Sequence, residues 1–345
     1  MVRGAGAAWR PALRAQTDTD RRRESAIVGI ESFRRSGVGP QPQVEWFGDS
    51  VEPTVLTRQR LAYRLEMIGS LRKHLGEGVG GLAVAGSEMR ADDDAIAPYQ
   101  LSHQVSHMIA VASDALGTLE LILRDPTEGI RIPLFGVYPV ARQALEAGAY
   151  GIWIVAPDNP TLRRTRALRT QVQESREETS LIAEFLKDRS ADNKKLKKHK
   201  ARERQKQGQS ERRADKIAAV ATAVGLPTAE VKKGVPSMRT LLDEVDAHRP
   251  APIATTRAIW QYVSGLAHPS LLRAIQASDL DLSDTPDPQV QHARMTAKED
   301  MVLLALDVAL TLVGDLLDTA AVRANNPAVR WRRDDIGLPP GWRRR

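Results

Sequence analysis

Cysteine is absent from all 345 residues. That excludes disulfides, thiolate metal sites and cysteine nucleophiles together, and it leaves His, Asp and Glu as the side chains able to hold zinc. Aromatic residues make up only 4%, so a core has to be built from Ala, Leu, Val and Ile, which suits packed helices better than a β-sandwich. No long apolar run is free of charge. The most apolar stretch, 134–156, carries Arg142 and Glu146 near its middle, where a lipid-facing helix tolerates them poorly. A helix buried in a bundle fits it better. The opening MVRGAGAAWRPALRAQ has positive charge but no apolar core of a secretory signal. A cytoplasmic protein without membrane contact is expected.

Charge is plentiful but unevenly placed. The chain is 27% charged with a net +7, a globular rather than a disordered balance. Between Lys187 and Lys216 thirteen Lys or Arg face five acidic residues, a local +8, so the rest of the chain sums to −1. The centre of that run holds Lys194, Lys195, Lys197, Lys198, Lys200, Arg202 and Arg204. Such a segment attracts phosphates and releases counterions; it also fits a solvated helix extension or a linker. It contains no aromatic side chain to stack on a base, which disfavours single-strand recognition. Smaller basic clusters at Arg21, Arg22 and Arg23 and in the Arg/Trp-rich tail 326–345 are expected to be loose termini.

Hydrophobic periodicity places the elements. Residues 1–52, rich in Arg, Gly and Pro, predict a mostly irregular segment, with a short helix between Glu24 and Arg35. A helix is expected from Thr54 to Leu75. The following GEGVGGLAVAG lacks the Gly spacing and Lys-Ser/Thr of a nucleotide loop and predicts a flexible loop. From Pro98 to Leu123, apolar residues recur at three and four, an amphipathic helix. Leu134 to Val155 is apolar nearly all round, hence central. Asn159 and Pro160 offer a side-chain cap and a first-turn proline for an Arg- and Glu-rich helix through residue 188. Further helices are expected over Ala214–Val224, over Met238–Ala247 behind Ser237, from Thr255 or Thr256 to Leu266, and over Val290–Val322. Residues 280–288 predict an acidic, proline-containing loop. No alternating strand and no repeat is evident. The fold class expected is all-α: a helical bundle spanning 53–325, interrupted by the basic segment 187–216, with two nearly apolar helices at its centre and a long charged helix or linker.

Polar residues at expensive places are the candidate site. Arg142 and Glu146 stand one helical turn apart, and Tyr150 and Trp153 continue their stripe. An unpaired buried charge is costly, so the two pair with each other or receive a polar or anionic ligand. His103 and His107 are also one turn apart, the spacing of two metal ligands. The sequence is HQVSH, with Gln104 where a metalloprotease has Glu, and Asp114 lies about 10 Å further along the axis at about 1.5 Å per residue. A polar helix face is the expectation there. His268 precedes a proline at a helix break, with Tyr262 and Ser264 nearby in sequence.

Three blocks, VASDALGTLELIL, ARQALEAGAYGIWIVAPDNPTLRRTRALR and the late WQYVSGLAHPS, together resemble uncharacterised all-α proteins common in actinobacteria, themselves distantly similar to the HEPN superfamily of helical domains. Many HEPN members are ribonucleases of toxin and phage-defence systems. The resemblance implies that Arg142, Glu146, Tyr262 and His268 meet in one inter-helix cluster. HEPN ribonucleases carry an Arg followed four to six residues later by His; no His here has an Arg at that distance, and Arg257 is eleven residues before His268. The leading expectation is therefore a non-enzymatic helical scaffold or regulatory protein whose basic segment meets nucleic acid or an acidic protein, with no cofactor. The alternatives are a divergent HEPN-like ribonuclease of the phage-defence or toxin type, and a small-ligand sensor.

Overall fold

The computed structural model describes residues 44–46, 52–77, 81–127, 129–186, 194–248, 256–284, 286, 291–332, 336 and 342–344. The fold is an all-α helical bundle. Helix α1 (Pro53–Gly76) leads to the short α2 (Glu88–Ala95), then α3 (Leu101–Leu123) and α4 (Val137–Val155). Two long helices follow, α5 (Pro160–Leu186) and α6 (Lys194–Ala223), and then α7 (Thr228–Val231), α8 (Met238–Ala247), α9 (Thr256–Leu266), α10 (Leu271–Gln276) and the long α11 (Glu299–Arg323). Three two-stranded antiparallel ladders decorate them: β1 (Val44–Trp46) with β6 (Trp342–Arg344), β2 (Arg124–Asp125) with β3 (Gly129–Ile130), and β4 (Ser278–Asp284) with β5 (Gln291–Ala297).

The core forms around α4, which packs mainly against α3 and α11. Leu145, Ile152, Trp153, Ile154 and Val155 on α4 and Leu306, Leu312, Val313, Leu316 and Leu317 on α11 are all buried. Small residues set the separation. A Cβ on Gly151 would stand 2.6 Å from Leu316 Cδ1, and one on Gly148 only 3.0 Å from Leu312 Cβ, so the two rods approach as closely as missing side chains allow. Helix α1 covers α11 with its own apolar stripe of Leu61, Leu65, Ile68 and Leu71. Its outer rim is held by ion pairs from Arg60 and Arg64 to Asp307 and from Arg58 to Glu299 at 2.8 Å.

Caps fall where the sequence places them. Asn159 Oδ1 accepts from the Thr161 amide at 2.8 Å at the head of α5, and Ser237 Oγ accepts from the Thr240 amide at the head of α8. Helix α9 begins at Thr256, and Thr255 lies outside the described residues. So does the expected helix between Glu24 and Arg35.

Four elements correct the sequence reading. Residues 280–284 of the expected acidic loop and 291–297 of the expected last helix are instead strands of the β4–β5 ribbon, and α11 starts only at Glu299, with Glu299 and Asp300 in its first turn; 285 and 287–290 lie outside the described residues. The basic run is not an interruption: from Lys194 it is one continuous helix, of which the expected Ala214–Val224 is only the end. Helix α2 was not foreseen, although Ser87 caps it by accepting from the Arg90 amide. Finally, within the segment expected to be mostly irregular, the three residues of β1 pair with β6 of the tail.

Candidate functional site

Two regions concentrate the chemistry. The first is the stripe of α4. Arg142 Nε donates to Glu146 Oε1 at 2.7 Å, and Trp260 Nε1 of α9 donates to the same oxygen at 2.7 Å. The Arg142 guanidinium also lies 5.9 Å from the Trp260 ring centroid, a cation–π distance. The pair is half-buried, with side chains 31% and 26% exposed, because α9 covers only one side of it. Of the two expectations, mutual pairing or a bound ligand, the pairing is present, with the charges partly solvated rather than buried. One turn on, burial pushes the Tyr150 phenol up, helped by the carboxylates of Glu177 and Glu146.

Below the pair, Tyr138 and Tyr262 meet edge to face with centroids 5.7 Å apart. Burial is also the main reason that the Tyr262 phenol is held far above its ordinary value; it is a neutral group at any physiological pH. The Tyr138 and Tyr262 hydroxyls are buried as each other's polar neighbours, and Ser264 Oγ is buried without a hydrogen-bond partner among the described residues. The structure thus brings Arg142, Glu146 and Tyr262 to one α4–α9 interface. His268 is exposed at the α9–α10 turn.

At its other end the stripe becomes wholly structural. Trp153 Nε1 donates to Glu244 Oε2 of α8 at 2.8 Å, Arg166 Nη2 reaches the same oxygen at 2.7 Å, and Arg166 and Arg169 both stack on the Trp153 ring. Nearby, Asp92 of α2, fully buried, holds both Arg163 at 2.6 Å and Arg164 at 2.8 Å. Arg163 further donates to the carbonyls of Pro157 and Asp158. These arginines pin the start of α5 to the bundle. His103 and His107 are exposed on α3, and no group of three or more metal-ligating side chains occurs among the described residues.

The second region is the α5–α6 hairpin. Its seam repeats every seven residues: Leu168, Ser175 and Ile182 on α5, and Glu203, Ser210 and Ile217 on α6, are all buried, the spacing of an antiparallel coiled coil. Its register is fixed by reciprocal bonds, Ser175 Oγ to the Ser210 carbonyl at 2.7 Å and Ser210 Oγ to the Ser175 carbonyl at 2.8 Å. Arg213 to Gln171 Oε1 at 2.6 Å agrees with it. The faces turned away from the seam differ in sign. Helix α5 exposes Glu177, Glu178 and Glu184 along with Arg176, whereas α6 exposes Arg202, Arg204, Lys206, Arg212 and Lys216 along with Asp215. Lys194, Lys195, Lys197, Lys198 and Lys200 lie on the first turns of the same helix; their side chains are outside the described residues.

No family profile, curated protein or solved structure matches this chain.

Sequence reasoning missed Trp260, Glu244 and Asp92, the partners of Glu146, Arg166 and Arg163. No local spacing could have found them, since each partner lies seventy or more residues away in the chain.

Proposed function

We propose that the protein is a non-enzymatic helical scaffold that docks the basic face of α6 on the phosphate backbone of a nucleic acid. What carries this reading is the placement of the +8: it sits on one 30-residue helix, and Arg202, Arg204, Lys206, Arg212 and Lys216 are all exposed around the part of it that α5 leaves open. A helix of that length extends about 45 Å at about 1.5 Å per residue, enough to follow many phosphates. The helix has no Phe, Tyr or Trp, so it lacks stacking platforms and suits backbone contact without sequence readout. The α4 stripe supports the same reading from the other side. Arg142 and Glu146 neutralise each other and engage Trp260, and His268 is exposed rather than buried with them, which gives the ribonuclease alternative little support as an acid–base pair.

Filter binding of a DNA duplex and an RNA duplex of unrelated sequences across a salt series tests this. Affinities should be alike for different sequences and fall linearly in log–log form, with a slope near 0.9 per neutralised phosphate for B-DNA. Binding that ignores salt, or binding to an acidic protein surface but to neither duplex, contradicts it.

A further inference from the structure

The β4–β5 ribbon has no part in the α6 reading, and it is built unlike the rest of the molecule. Seven residue pairs run from Ser278 opposite Ala297 to Asp284 opposite Gln291. Its base is tied down: Ser278 Oγ donates to the Ala274 carbonyl of α10 at 2.6 Å, and Lys298 Nζ to the Gln276 carbonyl at 3.1 Å. Beyond the base it leaves the bundle. Asp281, Leu282, Ser283 and Asp284 on one strand, and His292, Ala293 and Arg294 on the other, are all exposed. No third strand lies on either edge among the described residues. An isolated two-stranded ribbon is marginal in water, and open edges of this kind are templates for pairing.

Its side chains separate twice. By alternation, Leu280, Leu282, Ala293 and Met295 share one face, and Asp279, Asp281, Arg294, Thr296, Ser283 and His292 the other. Leu282 is 44% exposed, and Leu271 and Leu272 on α10 are 60% and 65% exposed. Across the ribbon the charge is sorted by strand. Helix-side β4 carries Asp279, Asp281 and Asp284 and no base; β5 carries His292 and Arg294 and no acid.

We propose that the ribbon is a self-association element, in which the acidic β4 edge of one copy pairs with the basic β5 edge of a second. Charge selects this partner over the other ways two copies can meet. Pairing β4 with β4 sets aspartates opposite aspartates, and β5 with β5 centred on Arg294 sets it opposite the Arg294 of the second copy, both destabilising across a strand pair. Pairing β4 with β5 repeats between copies the match that already exists within one, Asp281 opposite Arg294 and Leu280 opposite Met295. It also extends the antiparallel order and widens the apolar face. Because the two edges differ, the contact is head to tail and leaves a free edge at each end, so assembly continues past the dimer unless it closes into a ring.

Sedimentation velocity of the full chain, with a charge-swapped chain for comparison, tests this. In the swapped chain Asp279→Arg, Asp281→Arg, His292→Asp and Arg294→Asp keep each ribbon internally complementary, and an unchanged thermal melt shows that the bundle is intact. Wild type should grow in mass with concentration at low salt, and lose association at high salt. The swapped chain should assemble with itself, but a fluorescently tagged swapped chain should not enter wild-type assemblies, since acidic β4 then meets acidic β5. A wild type that stays monomeric throughout overturns the proposal. So does preferential mixing of the two chains, the signature of like strands pairing, and so does association abolished by Arg202→Glu with Arg204→Glu, which places the contact on α6. None of these outcomes depends on whether α6 binds nucleic acid.

Discussion

Helices α11 and α6 are of similar length, 25 and 30 residues, yet they are held in opposite ways. Helix α11 is surrounded by α1, α4 and α9 and is apolar on most faces, so its position follows from burial and from the close approach at Gly148 and Gly151. Helix α6 buries one stripe against α5, and at the middle of the seam two serines meet, one from each helix. Apolar area fixes the first; register-setting hydrogen bonds and a narrow seam fix the second. The difference teaches where function can reside. A helix held on all sides has no face to offer, while one held on a single stripe can vary its outer residues at little cost to the fold.

The sharpest way to break the bundle side of this contrast is Asp92→Ala. It strips the buried Arg163 of its closest carboxylate, so about 3–5 kcal/mol should be lost in urea denaturation. A value near zero would mean that Glu88, 3.1 Å from Arg163, suffices. Next comes Leu316→Ala, which opens a cavity against Gly151; about 2–5 kcal/mol is expected from Leu-to-Ala losses in close-packed cores. On the arm, Ser210→Ala removes one of the reciprocal bonds and should cost about 1 kcal/mol, read as a lower melting temperature with α6 still helical. Smallest on the α4 stripe is Glu146→Gln. The pair is partly solvated, so a loss of about 0–1 kcal/mol is expected; a loss of several would show that Arg142 depends on this carboxylate as a buried ion does.

Much of the bundle was legible before any coordinates. The near-continuous apolar runs of α4 and α11 announced the centre, and Asn159 and Ser237 announced two helix starts, because periodicity and caps are local signals. The Arg142–Glu146 pairing was legible for the same reason. What failed was non-local or compositionally disguised. The ribbon hid because Asp, Ser and Ala make up half of it and Thr296 is its one β-branched residue, so LDLSD read as a loop and ARMTAKED as a helix start; only the alternation of Leu280 and Leu282 pointed the other way. The basic run left helix and linker both open, because like-charge density fits either, and only the seam with α5 decides for the helix. The partners Trp260 and Glu244 came from tertiary packing, and no spacing in the chain carries that information.

The most direct measurement pairs stability with binding in one variant, Arg202→Glu with Arg204→Glu. Both side chains are exposed on the outer face of α6, so the thermal melt should stay within about 0.5 kcal/mol of wild type, while duplex affinity drops and the log–log salt slope falls by about two. A variant that binds as wild type does, with the same slope, or one whose arm unfolds, would show that these charges serve the hairpin and not an outside polyanion.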